Sequence, residues 1–434
     1  MKKSINIFWF RRDLRLSDNA GLYHALKQNK PVIPVFIFDR QILDRLENKY
    51  DRRVEFIHEA IESLEQQLKK SGSAIEVHYG FPADIFTLLI KKYKVSAVFT
   101  NNDYEPYART RDTQIADLLR SHGIGFNSFK DQVIFEKDEV RKDNGEPYTV
   151  FTPYSRKWLA KLDTFYLSAY PVEKYFKNFF KQAGLDIPTL ADMGFKSSGK
   201  KFPGKEPWAT LIKDYNNTRD FPGIEGTSRL GVHLRFGTIS IRKLSGRARE
   251  LNGTFLNEII WRDFYQAILW HFPQVGEHKA FKPAYENISW RNNEAEFKHW
   301  CEGDTGYPIV DAGMRELNET GFMHNRVRMI VASFLVKHLL IDWRWGEAYF
   351  AEKLLDFDMA SNNGGWQWAA GSGCDAAPYF RIFNPYLQTK KFDAELNYIK
   401  KWVPEFQEFD YPKPIVEHEF ARKRALEVYA LVNN

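Results

Sequence analysis

The chain has 434 residues, 62 Lys and Arg against 56 Asp and Glu, and twelve tryptophans, but only two cysteines, Cys301 and Cys374. Two thiols exclude a disulfide scaffold and any site that needs several thiolates, and the length suffices for two or three domains without staples. No uncharged apolar run reaches membrane-spanning length, and the opening MKKSINIFWFRRDLRLSD breaks into charges too early for a signal peptide, so a soluble, cytoplasmic protein is expected.

In chain order, β-branched and aromatic runs predict strands at Ile5–Phe10, Val32–Phe38, Ile75–Tyr79 and Val95–Thr100, with a weaker one at Phe126–Phe135. Amphipathic stretches at Asp18–Gln28, Arg52–Lys70, Pro82–Lys94 and Glu105–Ser121 alternate with them. That alternation indicates βαβ units and a parallel sheet covered on both faces, a Rossmann-like α/β domain over residues 1–135. No G-x-G-x-x-G follows the first strand, so the sheet carries no sign of a dinucleotide turn. Residues 136–205 read as an irregular connector that ends in SSGKKFPGK. From Trp208 strand signals vanish, and helices are predicted at Phe255–Trp270, Tyr307–Thr320, Met323–Leu340, Gly346–Asp356 and Glu417–Leu431. The fold class is thus an N-terminal parallel α/β domain plus a larger all-helical domain over 206–434. Ten of the twelve tryptophans fall in that helical part, while its net charge is −2 against +4 for each of the two preceding parts. A nucleic-acid face there has to come from local arrangement, not from net charge.

Glu258, Trp261, Arg262 and Tyr265 stand three and four residues apart in NEIIWRDFYQAI, so one helical face presents a carboxylate, a guanidinium and wide rings. Such a face suits a flat, polar-edged ligand such as a nucleobase. Taken alone, it reads first as an ordinary helix packed by Trp261 with a surface Glu–Arg pair. In HNRVRMIVASFL, Asn325 and Met329 share a face, and an amide can meet a carbonyl and imide edge at once. DFDMASNNGGWQWAAGSG, with Asp356 and Asp358, is the least helix-like segment of the second half and reads as a loop and helix start that touches a cofactor. No third metal ligand follows at suitable spacing, so no metal site is expected. In EGTSRLGVHLRFG, Thr227 and Ser228 precede Arg229 and a helical run, a combination of hydroxyls, free backbone N–H groups and guanidinium suited to phosphate.

Together, FWFRRDLRLSDN, DFPGIEGTSRL, EIIWRDFY, TGYPIVDAGMRELNETGFMHNRVRM, NNGGWQWAAGSGCDAAPYFRIFNP and YPKPIVEH resemble the photolyase/cryptochrome family, most closely class I cyclobutane pyrimidine dimer photolyases. The resemblance covers both ends and is faintest over the connector. It implies an α/β antenna-type domain and a helical, FAD-binding catalytic domain. FAD would have its diphosphate held by Thr227, Ser228, Arg229, Leu230 and Gly231, with Tyr215 nearby. Arg328, Asp356 and Asp358 would surround the isoalloxazine and ribose, and Asn362 would face flavin N5.

The implied partner is UV-damaged DNA, single- or double-stranded and bound without sequence preference, from which a pyrimidine dimer is flipped out. Trp261 and Trp368 would wall the pocket, Met329 would close it, Tyr265 would border it, and Glu258 and Asn325 would hydrogen-bond the dimer. Arg219, Arg262, Arg326, Arg381 and Gln388 would grip the DNA. By resemblance, light-excited FADH⁻ passes an electron to the dimer and recovers it after the ring splits, while Trp366, Trp343 and Trp290 carry electrons inward to oxidised flavin. Asn325 and Met329 stand where (6-4) photolyases carry a His pair, which argues against that lesion. Asn362 stands where plant-type cryptochromes place an acid, and the chain ends soon after PIVEH, without a signalling tail. Tyr107–Ala108 and Gly276–Glu277 depart from the folate-contacting pairs of some class I enzymes. The antenna chromophore therefore stays open among a deazaflavin, a second flavin, another pigment and none. The expected assembly state is a monomer, and the alternative function is a blue-light receptor without repair.

Overall fold

The structure, a computed structural model, describes residues 4–206 and 209–433, so Trp208 lies outside the described residues. The chain forms two compact units that interleave along the sequence. One comprises Met1–Glu136, Leu162–Glu206 and Arg229–Arg247, and the other Lys137–Lys161, Pro207–Ser228 and Ala248–Asn434. The expected borders at 135 and 205 are contiguous, and the observed ones are not. The stretch read as an irregular connector is divided between the units and contains a helix, Phe151–Lys161.

In the first unit, strands β1 (Ile5–Phe10), β2 (Val32–Asp39), β3 (Glu76–Gly80), β4 (Val95–Asn101) and β5 (Gly125–Phe129) form one parallel sheet in the order β3-β2-β1-β4-β5. Every residue of β1 and β2 is buried, as continuous apolar strands require when helices cover both faces. The crossover helices Ala20–Lys27, Arg52–Lys69, Pro82–Lys92 and Pro106–Ser121 match the amphipathic stretches. The side chains of Asn19 and Asp51 cap the first two by accepting from Leu22 N and Arg53 N. β5 stops at Phe129, short of the expected Phe135. Just beyond it Asp131 turns inward to the Arg15 and Arg242 guanidiniums, at 2.7 and 2.8 Å, and Arg242 also holds Asp18 at 2.8 Å. All four of these side chains are at least nine-tenths buried. Burial pushes the Asp131 carboxyl up, but Arg15 and Arg242 outweigh that and hold it below the usual carboxylate range. Gly237 (φ +63°) passes so close to β1's exit that a Cβ there would lie 2.1 Å from the Arg12 carbonyl oxygen.

The second unit is helical. Its 19-residue helix Gly253–His271 is capped by Asn252 and receives the 151–161 helix on one side, where Trp158 Nε1 donates to Asp263 Oδ2 at 3.0 Å in full burial. The predicted helix over 323–340 is instead Asn325–Ser333 followed by a wider π-helical turn, Phe334–His338, and Leu340 adopts φ +49°. The helix predicted at Gly346–Asp356 runs Trp343–Lys353, because Asp342 caps it by accepting from Arg344 N. Residues read as a loop around 359–368 form a helix, Met359–Ala370, capped by Asp358 through Ser361 N. Of the two glycines that made the segment look irregular, Gly364 serves packing and Gly365 faces open space, and Gly346 in the 343–353 helix has a packing role like that of Gly364. A Cβ on Gly364 would lie 2.3 Å from the Tyr265 ring, and one on Gly346 would lie 2.1 Å from the Trp366 ring. The core gathers Trp300, Val310, Val331, Leu335, Trp343 and Trp366. Among the described residues, no helix is long and apolar enough to cross a membrane.

Two outcomes are expected. Arg242→Met leaves two buried carboxylates short of a cation and should lower the unfolding free energy by about 3–5 kcal/mol in urea titration. Because the Asp131 pKa is depressed by folding, the pair's contribution is present above the ordinary carboxylate value of about 4 and is lost as pH falls through the lower folded value, so the gap to the parent chain should close in acid. Gly364→Ala should cost about 1–3 kcal/mol through overpacking against Tyr265, read as a lowered melting temperature, although alanine is the better helix former.

Candidate functional site

Glu258, Trp261, Arg262 and Tyr265 share one side of the 253–271 helix. Arg219, at the C-cap of the turn Tyr215–Thr218, holds Glu258 with Nη1 2.5 Å from Oε1, and its guanidinium lies 5.4 Å over the Tyr215 ring. Tyr215 stands edge-on to Phe255 at 5.1 Å, so Tyr215, Arg219 and Glu258 form one cluster. Burial pushes the Glu258 carboxyl up, with Arg219 pulling the other way. Trp261 is stacked face to face on Phe151, 3.6 Å between centroids and 3° from parallel, and leans on Tyr265 at 5.5 Å. Phe151 thus backs one face of Trp261. It belongs to the stretch read as a connector, and only the aromatic spacing of FTPYSRKWLAK could have marked it.

A second element, the 325–333 helix, brings Asn325, Arg326 and Met329 to the site. His324 caps it, Nδ1 accepting from Arg326 N at 3.1 Å. Burial lowers the His324 pKa to about 4, so the ring is neutral, and its buried Nε2 has no hydrogen-bond partner. Asn325 is exposed at the helix start. Arg326 Nη2 holds Asp220 Oδ1 at 2.6 Å, its Nη1 lies 3.7 Å from Met329 Sδ, and its guanidinium lies 4.3 Å over Phe392. Phe392 and Gln388 sit one turn apart on the helix Pro385–Phe392, and Gln388 Oε1 is buried without a partner. Arg381 is exposed in the loop before that helix, and Trp368 packs half-buried on the core. Asp220, between Arg219 and Arg326, opens the DFPGIEGTSRL segment, but nothing in its local pattern assigns it a role.

Arg328 points away from Arg326, donating to both Asp356 oxygens at 3.1 Å and, through Nε, to the Met323 carbonyl at 2.8 Å. Asp356 and Asp358 therefore have different partners, since Asp358 accepts from Ser361 and, at 3.2 Å, from Gln266 Nε2. Asn362, one turn on, donates to the Glu347 carbonyl at 3.1 Å and is nine-tenths buried. Of the three tryptophans expected to form a path, Trp366 meets Trp300 edge-on at 6.0 Å, Trp343 lies under the Arg344 guanidinium at 4.9 Å, and Trp290 meets Tyr429 at 6.2 Å. Trp366 and Trp343 belong to the same buried core cluster, and Trp290 packs at its margin. Trp300, which carried no assignment, stands beside Trp366 together with Phe350, whose ring is nearer at 5.0 Å. Thr227 and Ser228 are half-buried and close one stretch of the second unit. Arg229 adopts φ +51° and is exposed, Leu230 is buried, and Gly231 begins the helix Gly231–Phe236 in the first unit.

FAD needs acceptors for its sugar and ribityl hydroxyls, donors for its diphosphate, and amides for its ring edge. Asp356, Asp358, Gln266 and Asn362 supply acceptors and amides, while Arg328, Thr227 and Ser228 supply donors. Gln266 Oε1 is buried with no hydrogen-bond partner, an orphan that costs about 1–3 kcal/mol until a ligand donor meets it. The residues present fit the group.

Comparison with known proteins agrees. Residues 6–174 match the family profile described as DNA photolyase, and residues 255–410 match that of the FAD binding domain of DNA photolyase. A protein of Synechococcus named deoxyribodipyrimidine photo-lyase is 38% identical, over 98% of this chain and 96% of its own length. A bacterial class III photolyase from Agrobacterium tumefaciens superposes with TM-score 0.87 at 36% identity, covering 100% of this chain and 98% of that one. An archaeal photolyase from Sulfolobus tokodaii, solved with two FAD molecules, gives TM-score 0.85 at 35% identity, covering 98% of this chain and 99% of that one. The chain belongs to the photolyase/cryptochrome family and carries the FAD binding domain of a DNA photolyase.

Proposed function

We propose that the chain is a light-driven DNA-repair lyase that binds UV-damaged DNA and splits cyclobutane pyrimidine dimers, acting as a monomer in the cytoplasm. The observation that carries the reading is the row on one side of the second unit, where the Glu258–Arg219 pair, the Phe151-backed Trp261 and the Arg326–Met329 contact stand together. When bound and reduced, FAD supplies a light-driven electron to the dimer. The remaining work falls to the chain.

A dimer leaves the duplex at a cost of a few kcal/mol, less than an intact base step because it stacks and pairs badly, and that difference supplies selectivity. Trp261, held flat by Phe151, offers its other face to the bases, with Tyr265 beside it and Trp368 opposite in role. Glu258 is half-buried and held by Arg219; burial shifts its carboxyl up from the usual range while Arg219 pulls it down, and it stands at the site to hydrogen-bond the dimer. Asn325, exposed at its helix start, presents both a donor and an acceptor to the base edges. Arg219, Arg262, Arg326, Arg381 and Gln388 meet the phosphates around the lesion, which fixes position without reading sequence. Tyr215, Thr227, Ser228, Arg229, Leu230, Gly231, Arg328, Asp356 and Asp358 hold FAD, with Asn362 at the ring. Trp366, Trp343 and Trp290 provide oxidisable rings through the core toward its margin.

Illuminating dimer-containing oligothymidine with the reduced protein should restore thymine-band absorbance above a dark control. Flavin photoreduction without any such recovery would place the chain among blue-light receptors of the same fold. Glu258→Ala should retain FAD, lower the repair yield per absorbed photon and weaken dimer binding about tenfold, the worth of a hydrogen bond to a charged group. Trp343→Phe should slow photoreduction of oxidised flavin, followed by its visible bands, and leave repair by the pre-reduced protein unchanged.

A further inference from the structure

Each cation expected to grip DNA at the centre of this face already holds an anion. Arg219 is on Glu258, and Arg326 is on Asp220. Asp220 also stands 4.0 Å from Arg219 Nε, so one carboxylate lies between the two guanidiniums. The Arg326 fork is set in advance. Its plane rests on Phe392, Nη1 faces Met329 Sδ, and Nε is buried without a hydrogen-bond partner, which leaves Nη2 and the Asp220 side as the polar end. The Asp220 side chain is 38% exposed against 20% for Arg326. It can turn into water at little cost, whereas the arginine cannot follow. A carboxylate oxygen at 2.6 Å from Nη2 occupies the position that a phosphate oxygen would take, since guanidinium binds both anions with the same fork.

We propose that Asp220 is a competitor for DNA phosphate built into the binding face: it occupies Arg326, and at longer range Arg219, and must be displaced whenever the chain takes hold of DNA. This rests on the reading that Arg219 and Arg326 grip DNA. Asp220 thereby sets how firmly any DNA is held, and it acts on damaged and undamaged duplexes alike, because the exchanged contact is to the backbone and not to the lesion. It is a positioning residue and touches neither the dimer nor the cofactor in this role. Displacement of an internal anion by phosphate also lowers the net number of counterions released, so it flattens the dependence of affinity on salt.

The test is equilibrium binding of the FAD-loaded chain in the dark to two duplexes, one with a thymine dimer and one without, over a series of salt concentrations. Asp220→Asn is expected to tighten both about three- to fivefold, the size of one exposed ion pair, and to steepen the slope of log affinity against log salt by about one. The ratio between the two duplexes is expected to stay as in the parent chain. Asp220→Glu, which keeps the anion, should restore parental affinity and slope. A purely structural role for Asp220 would lower the melting temperature of both variants and leave the slope unmoved, and that result overturns the proposal. So does a gain confined to the dimer-bearing duplex. Arg326→Gln serves as the separate arm. If it weakens binding while Asp220→Asn gives no gain, the proposal alone fails. If it binds both duplexes as tightly as the parent, the placement of DNA on this face fails and takes the proposal with it.

Discussion

Two positions without a side chain set the spacing on which the second unit depends. Gly364 lets the 359–370 helix settle onto Tyr265 of the 253–271 helix, and Gly346 lets the 343–353 helix lie against the Trp366 ring, each at a separation that a single Cβ would forbid. A glycine inside a helix costs about 0.5–1 kcal/mol relative to alanine, so both are poor choices for helix formation and good ones for contact. The three helices brought together this way carry Glu258, Tyr265, Asn362 and Trp366. The same closeness places Asn362 under the Glu347 carbonyl and Gln266 beside Asp358. The polar lining of the site is thus a by-product of backbone proximity.

Charge in the unit is arranged as pairs. On the face, Glu258–Arg219 and Asp220–Arg326 stand side by side, with Asp220 4.0 Å from Arg219 Nε, so it presents dipoles instead of a positive field, and Asp356–Arg328 forms a separate pair. The same pairing keeps the net charge of residues 206–434 small, at −2. The first unit uses the opposite device. Its Asp18, Asp131, Arg15 and Arg242 are buried and closed on themselves, and they fix loop geometry at the end of the sheet.

Much of this was legible in the residues. Continuous β-branched and aromatic runs made β1 and β2 plain, because a strand buried on both faces leaves no room for polar alternation. The helical face of Glu258 to Tyr265 followed from spacing alone. The 359–370 helix was not legible, since Asn and Gly argue for turns locally, while the reason for Gly364 is the Tyr265 ring and the partner of Asn362 is the Glu347 carbonyl, both far away in sequence or on another helix. The π-helical turn at 334–338 interrupts a stretch whose apolar pattern looks uniform, and the end of β5 is decided by an aspartate whose partners come from elsewhere in the fold. Phe151 and Asp220 escaped for the same reason. Each gains its meaning from one long-range neighbour, Trp261 or Arg326, and local pattern does not encode such neighbours.

The crossing of chain segments between the units has a bearing on synthesis. The 137–161 stretch emerges from the ribosome before the helices it packs on, and the first unit lacks its 229–247 stretch until well after its sheet has been made. Neither unit can close in the order in which it is translated, so Phe151 and Trp158 must wait, exposed and aromatic, for the 253–271 helix to arrive. A gene fragment cut at residue 206 would deliver the tryptophan-rich half without the two rings that complete it.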